Sequence, residues 1–343
     1  MRVLWKSDVL VKGCSALVLC RLGGVLVGVK RRKRFKGCLM SKGILVVFFL
    51  VVFSGCSSEN NYSRFSRTFV GMFDTFVSVI GYSVCQDGFD YFVGEVIYPE
   101  LSRLNKLFDG FSLHYGVNNV KTINQNAGVG PVYVSPEIID LLNVGLGAYF
   151  KTGGVVNVAI GPITGLWQKY HEPDMYALEA ASEFIDISRV IVGQDSVFLP
   201  YKGMSLDVVS IAKGFAVEHV TQKALAAGFS RFSLSIGGDV RLTDAPPGRD
   251  AWGVGIVNPH STDEIYDAVF VKNTAVFTSG NYLRYNHIIN PKTLKPANLV
   301  GSATVIHPSA VTAEILSLAA FILGRDDVRE IIEYAGADII WID

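Results

Sequence analysis

The chain lacks any excess of charge of one sign: Lys plus Arg and Asp plus Glu number 31 each in 343 residues. That balance excludes a broad basic surface for nucleic acid and an acidic tail. No C-x-x-C pair occurs among the five cysteines, Cys14, Cys20, Cys38, Cys56 and Cys85, so neither a zinc site nor a redox pair is indicated. G-x-G-x-x-G after a strand, G-x-x-x-x-G-K-[ST] and H-E-x-x-H are all absent, which removes the Rossmann, P-loop and zinc-protease arguments. From residue 56 onward there is no fixed-period repeat, no Pro/Gly/Ser-rich linker and no long charge run, so this part reads as one domain. What is present is 50% hydrophobic residues with 34 glycines and 12 prolines, a composition that builds a globular body with a real core.

The first 55 residues differ from the rest. KRRKRFK at residues 30–36 precedes Met40-Ser41-Lys42-Gly43, and residues 44–53 are unbroken apolar. Ten residues of helix rise only about 15 Å, too short for a bilayer core of roughly 30 Å, but suited to the apolar region of a signal peptide. Ser54, Gly55 and Cys56 close the run, and a polar stretch from Ser57 to Asn61 follows. The pattern resembles a bacterial lipobox and its tether, with Cys56 as the lipidated (palmitate-bearing) residue and Phe53 bulkier than the usual leucine. Met40 already begins a complete short signal peptide, so it is expected to be the true start. The expected organisation is a targeting region at 1–55, a lipidated tether at 56–66 and a domain at 67–343. The protein is then a membrane-anchored lipoprotein facing the periplasm or cell exterior. Cys85 is the only remaining thiol, which excludes an internal disulfide framework.

Within the domain, residues 69–82 read as a strand or hairpin arm, and residues 89–108 as a helix kinked or started at Pro99. Residues 135–150 make the clearest helix, with Ser135 as cap and Pro136 in the first turn. A helix at 210–227 ends at Gly228, and strands follow at 232–236, 252–257, 265–270 and 303–307. A helix at 312–323 stops at Gly324, and a last helix and strand occupy 328–334 and 338–341. Mixed elements without a regular βαβ repeat indicate α+β with a mostly antiparallel sheet and flanking helices.

Three glycine-rich segments are the best site candidates, because loops on a rigid scaffold carry most chemistry. The first runs from Thr152 to Trp167, where Gly153 and Gly154 can end a helix and Asn157 is the lone polar residue of an apolar strip. Asn157 reads either as a contact to a base or ribose or as a cap on its own backbone. In the second, from Ser205 to Gly214, a helix start near Ser210 would bring free N–H groups and Lys213 onto one anion such as a diphosphate; a surface lysine is the bland reading. The third, Ser235 to Asp239, holds paired glycines that permit a close ligand or a tight turn. Of six histidines, His287 sits before a proline turn and can move a proton near neutrality, whereas His219 reads as a satisfied boundary residue. Glu314 opens a helix, where a carboxylate suits the dipole or a Mg²⁺ ion.

The segments GGVVNVAIGPITGLW, LDVVSIAKGFAVEHV, LSIGGDVRL, TSGNYLRYNHIINPKTLKP and VTAEILSLAAFILG resemble, in order, the successive motifs of the ApbE family, the FAD:protein FMN transferases. The resemblance runs from about Phe69 to Gly324. It implies a T-fold-like α+β core and an enzyme that binds FAD and Mg²⁺. Such an enzyme joins FMN by a phosphoester to a threonine or serine of a partner protein and releases AMP. It also implies acceptors among the subunits of sodium-pumping NADH:quinone reductases or Rnf-type complexes. By the same resemblance His287 matches the base toward the acceptor hydroxyl. Phe73, His114 (or its neighbour Tyr115), Val155, Val156, Asn157, Asp207, Lys213, Ile288 and Val311 match cofactor-contact positions. Ser210 and Glu314 match metal-holding positions.

The departures from the family pattern are specific. Asn157 and Asn290 stand for Asp, Leu294 for a turn glycine, and Phe73-Asp74-Thr75 for Met-Gly-Thr; Glu314 stands for Asp and Leu318 for a metal-site threonine. Two alternatives to the transferase stay open on these residues: a Mg²⁺-dependent FAD pyrophosphatase yielding FMN and AMP, and a non-catalytic flavin-binding lipoprotein.

Overall fold

In the computed structural model, residues 61–282 and 287–343 are described; the targeting segment, Met40 and the proposed lipidation site Cys56 lie outside them. The chain opens with a hairpin, β1 (Ser63–Met72) and β2 (Thr75–Ser83), then α1 (Gln86–Tyr91), a π-helical turn over Phe92–Ile97, α2 (Tyr98–Phe108), α3 (Val120–Gln125) and β3 (Val132–Tyr133). Next come α4 (Pro136–Lys151), α5 (Gly161–Tyr170), α6 (Met175–Ser182), β4 (Ile191–Val192), β5 (Ser196–Phe198) and α7 (Val209–Ala226). Strands β6 (Phe232–Ile236), β7 (Asp239–Leu242), β8 (Trp252–Asn258), β9 (Ser261–Val271) and β10 (Thr274–Ser279) follow. The described chain ends with β11 (Ile289–Asn290), β12 (Lys295–Pro296), β13 (Ser302–His307), α8 (Ala310–Ala335) and β14 (Asp338–Ile342).

Seven strands form one sheet in the order β1-β2-β6-β7-β10-β13-β14, and every named strand pair is antiparallel. The α+β expectation with an antiparallel sheet is met. Period-two alternation sorts the side chains. Phe232, Leu234, Ile236, Ala275, Phe277, Ala303 and Val305 face the main core with the helices, while Val240, Leu242 and Val276 face a smaller cluster closed by Trp252 and Ile256 of the β8–β9 hairpin. A third cluster, built on Ile160, Ile163, Leu178, Ile289 and Leu294, joins α5 and α6 to the β11–β12 hairpin.

The first boundary differs from the sequence reading for an identifiable reason. β1 starts at Ser63, ahead of the expected domain boundary at 67, because β2 extends far enough to pair Ser83 with it. Residues 89–108 divide as expected near Pro99: α2 starts at Tyr98 with the proline in its first turn, after a π turn that widens the backbone just before a residue with no N–H to give. The apolar strip around Asn157 is irregular, as its glycines indicate. Its buried backbone is satisfied by side chains and loops, with the Val156 N–H donating to Thr152 Oγ1 at 3.2 Å and the Asp207 N–H to the Val158 carbonyl at 2.8 Å. Helix α8 does break at Gly324 (φ 79°, ψ −177°), where the sequence placed its stop, and then resumes. Among the described residues no helix is long and apolar enough to cross a membrane.

Candidate active site

The start of α7 and the first turns of α8 meet at the ends of the central strands. Gly214 makes this crossing possible: a Cβ there would lie 2.7 Å from the Ala310 carbonyl oxygen and 2.8 Å from Glu314 Oε2. In its absence the Gly214 N–H donates to Glu314 Oε2 at 2.7 Å, across 100 residues of sequence. On the neighbouring strands, the two-residue turn Gly237 (φ 63°) and Gly238 (φ 98°) delivers Asp239 beside Lys213, with which it forms an ion pair. Asp239 is 5% exposed, and its second oxygen accepts the Thr278 N–H at 2.9 Å.

These elements floor a cavity of about 1020 Å³, at the upper end of what small-ligand sites occupy. Its walls are the β1–β2 turn, the strip after α4, α5, the end of β10 and residues 287–289. Asp207, Lys213, His287 and Glu314, drawn from three separate segments, all line it, together with Phe73, Val155, Asn157, Ser210 and Ile288. Three residues expected at the cofactor do not. Val156 is fully buried in the main core and, unlike its neighbours Val155 and Asn157, does not line the cavity. Val311 lies a turn before Glu314 on α8 and outside the cavity. His114 is tied to Asp109 at 2.8 Å instead. The other oxygen of Asp109 accepts the N–H groups of Phe111 and Ser112, a turn that carries Phe111 to the cavity in place of His114 or Tyr115. Burial raises the Asp109 pKa, but the Ser112 and Phe111 N–H groups and then His114 outweigh it and hold the carboxyl below its ordinary range.

The polar groups fall into two kinds. Some already hold bonds within the protein. The Asn157 amide donates to the Ile185 carbonyl at 2.8 Å and accepts the Ala159 N–H at 2.9 Å, so it caps its own backbone while lining the wall. Asp207 accepts from Thr164 Oγ1 at 2.8 Å and from the Val209 N–H at 3.2 Å, which fixes the entry to α7. Others are buried without a partner: Ser210 Oγ and Glu314 Oε1. Burial drives the Glu314 pKa up to about 8; Lys213 opposes this and Asp239 adds to it. Among the described lining residues there are five carboxyl side chains, Asp74, Glu172, Asp207, Asp239 and Glu314, against one lysine, Lys213.

The two orphaned oxygens and the acidic surplus fit a hard divalent cation, which takes oxygen ligands and keeps some of its waters. Elsewhere among the described residues, Glu100, Glu137 and His219 offer three ligand atoms within 4.8 Å of one another. That group is already neutralised. Arg103 bonds both carboxylates and Lys223 lies 2.9 Å from Glu100; burial raises the Glu100 pKa, but Arg103 and Lys223 bring it down to about 2. None of the three residues lines the cavity.

The sequence reading missed several lining residues. Thr164, Trp167 and His171 sit on or after α5, Thr278 and Ser279 end β10, and Asp239 follows the glycine pair. Thr164, Trp167, Thr278, Ser279 and Asp239 all fall inside motifs quoted above without being singled out, whereas His171 lies outside them.

A profile of the ApbE family matches residues 73–341, most of the chain and all of the cavity lining. The chain belongs to the ApbE family. Among curated relatives, the FAD:protein FMN transferase of Treponema pallidum is 31% identical over 250 residues, covering 64% of this chain and 69% of that protein. The Haemophilus influenzae enzyme of the same name is 25% identical with 85% and 89% covered. The crystal structure of the ApbE protein from Thermotoga maritima superposes with a TM-score of 0.71 at 26% identity, over 82% of this chain and 94% of that one. The flavin transferase ApbE of Vibrio cholerae shares the fold with a TM-score of 0.70 at 22% identity, over 82% and 93% of the two chains.

Proposed function

We propose that this ApbE-family chain is an FAD:protein FMN transferase that moves FMN from FAD to a threonine or serine of a partner protein, with Mg²⁺ and with release of AMP. The observation that carries this reading lies in the cleft's oxygens: among the described lining residues carboxyl groups outnumber the one lysine, and two buried oxygens, Ser210 Oγ and Glu314 Oε1, lack partners. Ser210 and Glu314 would hold Mg²⁺, and the ion when bound would offset charge on the diphosphate and on the departing AMP. The names of the curated relatives supply the substrate, FAD, and the transferred group.

The chain's own residues account for the rest. Lys213, steadied by Asp239, places one positive charge on the floor near the phosphates. Asp207 is held by Thr164 and the Val209 N–H, so it can orient a donor of the ligand without swinging. His287 lies at the exposed side of the cavity, where it would take the proton of the acceptor hydroxyl as that oxygen bonds the FMN phosphorus and the bond to AMP breaks. In this reading the protein is lipidated at Cys56 and faces the periplasm or cell exterior, and its acceptors are subunits of a sodium-pumping NADH:quinone reductase or Rnf-type complex. Several acyl chains give the durable anchoring that one chain cannot.

The test is covalent labelling. Protein incubated with FAD, Mg²⁺ and an acceptor domain should give flavin fluorescence that survives a denaturing gel. His287→Ala should abolish the label and keep FAD binding. FMN and AMP accumulating without acceptor would favour the pyrophosphatase, and FAD binding with neither outcome would leave only a flavin carrier.

A further inference from the structure

The β1–β2 hairpin turns on two non-glycine residues in left-handed backbone, Phe73 (φ 52°) and Asp74 (φ 54°). Two-residue turns with both φ positive favour Asn-Gly, and a bulky aromatic at the first position is a steric outlier. Such residues persist only where their surroundings over-determine them. Here the determining contact reaches in from α2: the Phe73 N–H donates to Asn105 Oδ1 at 2.7 Å. The Phe73 ring packs partly against the main core and lines the cavity near Phe76 and Phe111, whereas Asn105 does not line it. The strain is concentrated at this place. Of the five non-glycine residues with positive φ among those described, Phe73, Asp74 and His171 line the cavity, and the carbonyl of a fourth, Leu294, accepts the indole N–H of the lining residue Trp167 at 2.9 Å.

We propose that Asn105 is a positioning residue for this site: its side-chain oxygen locks the Phe73–Asp74 turn so that the Phe73 ring stands as a preformed wall against which an aromatic ring of the dinucleotide stacks. The inference rests on the flavin reading above. A ring face held before binding costs no ordering when the ligand arrives. Without the acceptor on α2, the Phe73 N–H loses its partner and the turn is free to relax toward right-handed backbone, which carries the ring off the cavity wall.

The experiment compares the full-length wild type with Asn105→Leu, which keeps the volume and removes the acceptor, and Asn105→Asp, which restores an acceptor oxygen. KM and kcat for FAD are measured with Mg²⁺ and acceptor, FAD affinity by flavin fluorescence, and folding by thermal melting. Asn105→Leu should raise KM and Kd for FAD about tenfold, the factor given by losing a ring contact of about 1.4 kcal/mol, with kcat at saturating FAD changed less than about threefold. Asn105→Asp should stay within about twofold of wild type, because it can still accept the Phe73 N–H. Phe73→Leu leaves the Asn105 acceptor in place and should show the same loss of affinity; it decides the matter should Asn105→Leu fold poorly. Binding of FMN and of AMP to Phe73→Leu identifies which ring has lost its wall. Wild-type protein that does not bind FAD overturns the flavin reading and this proposal with it. Wild-type binding matched by Asn105→Leu or, where that variant is unfolded, by Phe73→Leu overturns this proposal alone.

Discussion

Asp74 and Leu294 stand where the family resemblance calls for glycine, and both keep the backbone that glycine would have taken, with φ of 54° and 61°. The substitution changed the residue and not the turn, so the surroundings, not the local preference, set the conformation. Leu294 is 9% exposed and packs with Ile160 and Ile163, which offsets its strain. His171 has no such return: it is exposed at the end of α5 with φ 59° and lines the cavity. His171→Gly should therefore stabilise the protein. Relief of left-handed strain is worth about 1–2 kcal/mol and the added freedom of the unfolded chain costs about 0.5–1 kcal/mol, leaving a rise in Tm of roughly 2–4 °C. Thermal melting checks the sign, and a fall in Tm would mean that the imidazole makes contacts worth more than the strain. At this scale the sequence was only partly legible. The glycine departures were visible, but the left-handed backbone beneath them was not, because nothing in a phenylalanine or histidine signals positive φ.

Elements with strong periodicity were the most legible. α4, α7 and β6 lie within a residue or so of their expected limits, since apolar spacing agrees there with Pro136 in the first turn of α4 and Gly228 after α7, although the expected Ser135 side chain makes no cap bond. The segment after α4 was legible as irregular structure from its glycines, but not how Thr152 and Asn157 satisfy its buried backbone. The α7–α8 crossing was equally hidden, because it depends on Gly214 meeting residues a hundred positions away. Gly214→Ala tests that crossing. The new methyl must push Ala310 or the Glu314 carboxylate aside, at a cost of about 1–3 kcal/mol of stability. Urea unfolding should show a lower midpoint at unchanged m. The same displacement should weaken FAD binding, since the Gly214 N–H that orients Glu314 moves with α7; an Ala variant with wild-type midpoint and affinity would show the helices are not in the close contact described.

For the whole molecule, one buried carboxyl in the cavity, that of Glu314, ties stability to pH and to cations. The sequence brought Asp207, Lys213, His287 and Glu314 together through the family resemblance, yet it could not count charges around a cavity whose walls come from five stretches of chain, and it left Asp239 out. The consequence centres on Glu314. Burial raises its folded pKa to about 8, above the ordinary 4.5, with Lys213 opposing. The folded state therefore holds a proton that the unfolded state releases near pH 4.5. The stabilising contribution is complete below that pH and is lost as pH rises through 8. Protein stripped of divalent cations should accordingly melt at falling temperatures between about pH 5 and 8, and Glu314→Gln, neutral throughout, should flatten that decline. Mg²⁺ reverses the balance by favouring the ionised carboxylate. Added at about 100 times its Kd it should contribute about 2.7 kcal/mol, raising Tm most at pH 8, where the proton no longer competes for Glu314. Glu314→Gln should lose most of that rise. Melting curves that decline equally in wild type and Glu314→Gln, and that Mg²⁺ shifts equally in both, would place the cation and the buried proton somewhere other than on this carboxylate.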